Sequence, residues 1–104
     1  MLPEMTVRSN TDARTYDAMV DGHEIGTLVY EPKGSMVVIS HTVVEPEYRG
    51  IGIGSELVRQ ALDDFRKREM TVSNFCGFVA TFIENHPEYG DLLDPVHPGV
   101  IVHP

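Results

Sequence analysis

Glycines at alternate positions, Gly50, Gly52 and Gly54, lie in a short segment with the chemistry of an anion site. The segment follows an apolar run, Met36–Val44, that is typical of a strand, and it precedes a stretch, Glu56–Glu69, with the pattern of a helix. Glycines leave backbone N–H groups uncovered, and a helix start adds unpaired N–H groups and a partial positive charge. The spacing therefore predicts a phosphate-binding loop at this junction.

Other interpretations of the loop compete with this one. A P-loop for nucleoside triphosphates ends in Gly-Lys-Ser/Thr, whereas this loop ends in Gly54-Ser55 and has no lysine. A dinucleotide-binding fingerprint follows the first strand of a repeated βαβ unit, whereas this loop follows the fourth predicted strand. A purely structural glycine turn is the third alternative, and the short motif alone does not exclude it.

Short apolar segments predict the strands of one mixed, mostly antiparallel sheet. They cover residues 5–9, 16–20, 23–30, 36–44 and 70–73. Turn residues at Asp21-Gly22 and at Pro32-Lys33-Gly34 separate the middle strands. The fourth segment is nearly all apolar, and this predicts a strand that is covered on both faces.

Two helices are predicted after the fourth and fifth strands, which gives an α/β (α+β) fold. The first helix carries one apolar stripe at helical spacing. The stripe consists of Ile53, Leu57, Val58, Ala61, Leu62 and Phe65. A helix between two strands of one sheet requires a crossover, so the fourth and fifth strands should be parallel neighbours.

The second helix is predicted over residues 76–85, with Ser73 or Asn74 as its N-cap. Its buried face should consist of Phe78, Val79, Phe82 and Ile83. We predict one domain over residues 1–93 and a proline-rich tail over residues 94–104. Within the tail, Val100-Ile101-Val102 could pair with another segment.

Composition and charge exclude several classes of function. The chain has 104 residues, which suits one domain, and its net charge of −8 disfavours nucleic acid and membranes as partners. An acidic chain favours a cationic substrate, although such a charge can serve solubility alone. His23, His41 and His86 have no ligand-like spacing, so we predict no metal site. We expect a monomer or a weak homodimer.

Cysteine content and hydropathy point to a cytoplasmic protein. The single cysteine, Cys76, rules out an internal disulfide and fits a reducing compartment. Met1–Pro3 do not begin a signal peptide, and no stretch is apolar enough to span a membrane. We therefore expect a cytoplasmic location.

The pattern Arg49-x-x-Gly52-x-Gly54, set after a strand meander and at a helix start, resembles the pyrophosphate loop of the GNAT-type acyltransferase superfamily. Members of that superfamily bind acetyl-coenzyme A. The run Ser40–Gly50 looks like the approach to that loop. Cys76, followed by His86–Tyr89 and Asp91-Leu92, looks like the small single-domain Yjdj-type N-acetyltransferases. The resemblance covers roughly residues 25–93, which is most of the chain.

One feature departs from the larger members of that superfamily. Those enzymes carry two helices between their first and second strands, and these helices help to form the acceptor site. Residues 5–35 of this chain show hairpins and no helical stripe. The acceptor site is therefore expected to be open, built from loops, or completed by a partner.

The resemblance implies an N-acetyltransferase that moves an acetyl group from acetyl-coenzyme A to an amine. The loop backbone would hold the pyrophosphate, and the end of the fourth strand would offer its backbone to the pantetheine amides. The implied cofactor-binding residues are Thr42, Val43, Val44, Arg49, Gly50, Ile51, Gly52, Ile53, Gly54, Ser55 and Asn74. The alternative is a catalytically weak module that binds coenzyme A, an acyl-coenzyme A or a protein partner.

Cys76 and His41 are the candidate catalytic residues. The resemblance implies that Cys76 lies near the thioester, where it could carry a transient acetyl group or donate a proton to the leaving thiol. A small buried core residue is the alternative for this cysteine. His41, at the end of the fourth strand, could accept a proton from the incoming ammonium group, or it could be a strand histidine satisfied by hydrogen bonds. Arg49 could pair with Glu45 or Glu47, or approach a phosphate.

Overall fold

The computed structural model describes residues 4–100. Residues 1–3 and 101–104 lie outside the described part, and with them Ile101 and Val102 of the predicted tail segment. Five strands form one sheet in chain order. They are β1 (Thr6–Asn10), β2 (Thr15–Val20), β3 (His23–Lys33), β4 (Met36–Val44) and β5 (Thr71–Asn74). The first four strands pair antiparallel and β5 joins β4 in parallel, which confirms the predicted mixed sheet.

The two predicted helices follow β4 and β5. They are α1 (Ile53–Lys67) and α2 (Gly77–Asn85), and short 3₁₀ turns cover Pro46–Tyr48 and Pro87–Leu92. Helix α1 begins at the first residue of its apolar stripe, three residues before the predicted start, because the preceding glycine ends the loop. After α2, Val72–Leu93 and Asn74–Gly99 form single parallel bridges, so residues of the predicted tail run beside β5.

The β3–β4 turn differs from its prediction. Strand β3 continues through Pro32 to Lys33, and the chain turns at Gly34, whose φ of 63° is positive. Proline is tolerated here because β2 begins at Thr15, opposite Val29, so no neighbouring strand needs a donor from Pro32 on that side.

Both helices pack on one face of the sheet, so the prediction that β4 is covered on both faces is wrong. Val37 and Ile39 are fully buried on the helix side, whereas His41 is exposed and Val43 is 48% exposed. A mostly antiparallel sheet tolerates one solvated face, and the apolar character of β4 therefore does not require a second helical layer.

An aromatic cluster anchors α1 to the sheet. The rings of Tyr16 and Tyr30 each lie 5.2 Å from the Phe65 ring, both in edge-to-face geometry. The Tyr16 hydroxyl donates a hydrogen bond to Asp64 of the same helix. Burial, together with this carboxylate, raises the pKa of Tyr16 well above its usual range. The hydroxyl therefore stays protonated and acts as a donor.

Asp17 is a buried carboxylate on the opposite face of the sheet. It is 1% exposed, and it accepts hydrogen bonds of 2.8 Å from the Arg8 guanidinium and from the Thr27 hydroxyl. Burial alone would raise its pKa, but the hydrogen bonds donated by Arg8 and Thr27 outweigh burial and hold the pKa below its usual value. The ionised form therefore stabilises the pairing of β1, β2 and β3.

We expect Asp17→Asn to lower the free energy of unfolding at pH 7 by about 1.5–3 kcal/mol, since hydrogen bonds to a charged group are lost. The pKa of Asp17 is lower in the folded state, so its contribution is present above about pH 4 and fades as the pH falls. Urea denaturation at pH 7 and at about pH 3 measures both effects. Glu31→Gln, which breaks an exposed pair with Arg14, is the control and should cost under about 1 kcal/mol. A difference between wild type and Asp17→Asn that is equal at both pH values would contradict this account.

Candidate functional site

Strands β4 and β5 pair over only half of β4. The parallel register runs from Met36–Thr71 to Ile39–Asn74, and the Phe75 N–H then donates to the Ile39 carbonyl at 2.8 Å. Beyond Ile39, β4 continues to Val44 with β3 on one side, while the segment that follows β5 turns into α2. The two strands diverge here, and the last residues of β4 keep an edge that β5 does not cover.

A β-bulge lies where β4 leaves β5. Tyr30 faces Ile39 and Val29 faces His41, so Ser40 is the extra residue. The Ser40 hydroxyl donates to the Val29 carbonyl at 3.2 Å, which holds the bulge to β3. Bulges bend a strand and increase its twist, and this one directs the end of β4 away from the line of β5.

The glycines of the loop meet two different needs. Gly50 and Gly52 have φ values of 78° and 94°, which side chains rarely adopt, and Gly52 is the N-cap of α1. Gly54 is helical, but a Cβ added to it would lie 2.9 Å from Cζ of Phe78. The first two glycines shape the loop, whereas Gly54 leaves room for an aromatic ring from α2.

The diverging end of β4, the loop and the start of α2 enclose a cavity of about 570 Å³. Its lining consists of Thr42, Val43, Val44, Tyr48, Arg49, Gly50, Gly52, Ile53, Gly54, Ser55 and Phe78. The structure therefore brings the predicted cofactor-binding residues together, apart from Ile51 and Asn74. Ile51 is 44% exposed and Asn74 is fully buried.

Arg49 adopts neither of its predicted pairings with a carboxylate. Its Nε donates to the carbonyl of Val44 at 2.9 Å, and this contact ties the end of β4 to the loop. Within residues 4–100, no ion pair joins Arg49 to Glu45 or Glu47. Its position in the cavity lining leaves a positive charge beside the start of α1.

Asn74 positions Cys76. The Asn74 side chain accepts a hydrogen bond from the Cys76 N–H at 3.1 Å and donates one to the Cys76 carbonyl at 2.9 Å. The N-cap of α2 is Cys76 itself, so the prediction of Ser73 or Asn74 at this position is wrong. Both polar atoms of the Asn74 amide are thus engaged by the backbone of Cys76.

Cys76 lies against the β4 end of the cavity. Its thiol donates to the hydroxyl of Thr42, with Sγ and Oγ1 3.6 Å apart, and the residue is 6% exposed. Thr42 lines the cavity, so this hydrogen bond links the cysteine to the cavity lining. A group bound along the free edge of β4 would meet both side chains.

His41 lies on the other face of β4. Side chains alternate along a strand, and the neighbour of Thr42 therefore points to the face that the helices leave open. His41 is exposed and pairs in register with Val29. The structure consequently separates the two predicted catalytic residues, with Cys76 on the helix side and His41 on the open side.

Two aromatic residues of the cavity were not predicted. Phe78 was assigned to the buried face of α2, which is wrong, because it is 46% exposed and its ring covers Gly54. Phe78 lies four residues before Phe82, which is the spacing of one helical face, so the pattern of α2 gives no signal that Phe78 is exposed. Tyr48 lies in the 3₁₀ turn Pro46–Tyr48, and its sequence neighbours do not indicate that it lines a cavity.

The family model of the GCN5-related N-acetyl-transferases matches residues 15–92. The chain belongs to this family. The match confirms the resemblance to the GNAT-type superfamily and the acetyl-coenzyme A-dependent N-acetyltransferase function that it implies. The Yjdj-type subgroup stays a prediction.

Curated relatives of this family member carry the name Protein NATD1. The Mus musculus protein is 28% identical over 93 residues, which cover 86% of this chain and 84% of the mouse protein. The Bos taurus protein is 30% identical over 86 residues, which cover 79% of this chain and 76% of the bovine protein.

Solved structures of acetyltransferases share the fold. A GCN5-like protein of Staphylococcus aureus, solved in solution, has a TM-score of 0.66 at 16% identity and covers 94% of this chain and 90% of its own. An acetyltransferase of Bacillus subtilis in complex with CoA has a TM-score of 0.54 at 16% identity, with 86% and 76% covered. At these identities the likeness shows the fold alone.

Among residues 4–100, no three His, Cys, Asp or Glu side chains cluster in a way that could hold a metal ion. No helix in the same part of the chain is long and apolar enough to cross a membrane.

The contact between Gly54 and Phe78 predicts a non-additive pair of substitutions. In a Phe78→Ala background, Gly54→Ala should stabilise the protein by about 0.5–1 kcal/mol, because alanine favours helix and the ring is gone. In the wild-type background the new Cβ must displace the ring, and this gain should vanish or reverse. Urea denaturation of the four proteins measures the difference. Equal effects of Gly54→Ala in both backgrounds would rule the contact out.

Proposed function

We propose that this protein holds acetyl-coenzyme A in the cavity between β4 and the glycine loop, and that it transfers the acetyl group to a primary amine. The observation that carries this proposal is the cavity itself. The cavity lies between the edge of β4 that β5 does not cover and the start of α1, and Thr42 in its lining contacts the buried thiol of Cys76. Its volume of about 570 Å³ is of the size that small-molecule and cofactor sites have.

The start of α1 is suited to the pyrophosphate. The first N–H groups of a helix have no partner within the helix, and an N-cap side chain usually satisfies one of them. Here the N-cap is Gly52, which has no side chain to do so. These donors remain available to an anion, and Arg49 adds a positive charge in the same lining.

The free edge of β4 is suited to the pantetheine arm. A strand edge without a neighbour presents N–H and C=O groups in a regular row, and an extended ligand with amide groups can pair with them. Residues 42–44 form such an edge and line the cavity, although the Val44 carbonyl already accepts a hydrogen bond from Arg49. The arm would therefore lead from the loop towards Thr42 and Cys76.

The thioester would then lie between Thr42 and the N-cap of α2. The amine nitrogen attacks the carbonyl carbon, a C–N bond forms and the C–S bond breaks; the nitrogen loses one proton, and the sulfur of coenzyme A takes up one proton and leaves as a thiol. Cys76, whose thiol contacts Thr42 of the cavity lining, would supply that proton or accept the acetyl group first as a thioester. His41 faces the open side, from which the amine would come. The cytoplasm remains the location that we propose for this reaction.

Ligand-induced stabilisation tests the proposed cofactor site. Acetyl-coenzyme A at a hundredfold excess over its dissociation constant should stabilise the protein by about 2.7 kcal/mol and raise its Tm. Gly52→Glu should abolish the rise, since it puts a negative charge at the helix start. Gly34→Glu is the matched control, because Gly34 also has positive φ and lies in open space outside the cavity. A module without a ligand would show no rise in Tm with millimolar acetyl-coenzyme A.

Substitution of Cys76 tests its catalytic role. We expect Cys76→Ala to lower kcat at least about 100-fold, the lower range for a proton donor, while the Tm rise with acetyl-coenzyme A is kept. Cys76→Ser shows whether a hydroxyl can replace the thiol. Steady-state kinetics per folded molecule, with mass spectrometry to detect an acetyl group on Cys76, separate the two chemical roles. A lower Tm of the free protein with unchanged kcat would make the cysteine structural.

A further inference from the structure

Within residues 4–100, one face of the sheet carries no helix. Every strand residue of the hydrophobic core points towards α1 and α2, and the smallest extent of the molecule is 19 Å, the thickness of one helical layer on one sheet. The alternate residues of β2, β3 and β4 form what we call the open-face patch. It consists of Thr15, Thr27, Val29, Met36 and Val38, which are all half-buried.

The open-face patch is continuous with the candidate active site. Thr27 pairs in register with Val43, which lines the cavity, and Val29 pairs with His41. Val43 is 48% exposed, and Phe75, directly before Cys76, is 57% exposed. Because β4 and β5 separate beyond Ile39, an acceptor on this face would reach the thioester on the helix side through the gap between the two strands.

Two ion pairs lie at this face. Arg8 lies 2.8 Å from Asp17, and Arg14 lies 2.6 Å from Glu31. The patch therefore presents apolar and hydroxyl groups between balanced charges, in a chain whose net charge is −8. Sites for small ligands are concave and enclose them, whereas this sheet face has no wall of helices. The apolar and hydroxyl groups of the patch suit a polypeptide with apolar side chains. The net negative charge of the protein attracts a polypeptide that contains lysines.

We propose that the acceptor amine belongs to a lysine of a polypeptide segment that lies across the open-face patch, rather than to a free small amine. This inference rests on the proposed function. The lysine Nζ attacks the acetyl carbonyl carbon, an amide C–N bond forms, and coenzyme A leaves as a thiol after taking up the proton that the amine loses. Neighbouring strands lie about 4.8 Å apart, so the surface from β2 to β4 is about 10 Å wide. It can contact the residues on either side of the lysine.

Acceptor kinetics on the full chain test this inference. The probes are a degenerate library of 13-residue peptides with a central lysine, Nα-acetyl-lysine methylamide, and spermidine. At equal amine concentration, kcat/KM for the peptide library should exceed that for either small amine by at least about tenfold, which corresponds to about 1.4 kcal/mol of added binding. Equal or lower values for the peptides, including no transfer to any probe, would overturn the inference.

A matched pair of variants locates the docking surface. Val38→Arg places a bulky cation in the patch beside Glu31 and away from the cavity, and it should lower kcat/KM for the peptides about tenfold. Val96→Arg makes the same change at a valine that is 74% exposed in the segment after α2, and it should leave peptide turnover unchanged. Both variants should keep the turnover of Nα-acetyl-lysine methylamide.

The possible results separate this inference from the function on which it rests. Unchanged peptide turnover in Val38→Arg would overturn the docking surface while leaving the cofactor site intact. A dimer in sedimentation experiments that Val38→Arg dissociates would assign the patch to a second copy and also overturn it. Absence of a Tm rise with acetyl-coenzyme A in the wild-type protein would instead refute the proposed function itself.

Discussion

The separation of β4 from β5 after Ile39 is the constraint on which the candidate site depends. Up to that point the two strands form an ordinary parallel pair, closed by the hydrogen bond from the Phe75 N–H to the Ile39 carbonyl. Beyond it, the bulge at Ser40 bends β4. The side chain of Asn74 holds the backbone of Cys76, where the segment after β5 turns into α2. The opening between them supplies a strand edge, room for a ligand and access to Cys76. Without the separation, β5 would cover the edge of Thr42–Val44.

Backbone groups make up much of this site. The loop offers N–H groups because Gly52 leaves the first turn of α1 uncapped, and the end of β4 offers N–H and C=O groups because no strand of the described residues lies on the side opposite β3. Such groups are held by the fold and need no ordering when a ligand binds, which favours affinity. Side chains then fix the positions of the parts, as Arg49 does for the loop and Asn74 for Cys76.

Local patterns predicted the elements, whereas the site depended on contacts between distant residues. The stripe from Ile53 to Phe65 gave α1, and the glycine spacing gave the loop. The exposure of Phe78 could not be read in the same way, since it depends on Gly54, which lies in another helix. The open face of β4 was also missed, because an apolar strand has the same composition whether one or both of its faces are covered. The hydrogen bond between Cys76 and Thr42 joins residues 34 positions apart, and only the topology of the sheet brings them together.

The most direct test of the central claim is an NMR titration of the ¹⁵N-labelled protein with coenzyme A. If the cofactor lies between the loop and the free edge of β4, the largest amide shifts should occur at Gly50–Ser55 and at Thr42–Val44. The amides of β1 and β2 should change little. Shifts centred on the open face, or no shifts at millimolar coenzyme A, would contradict the account.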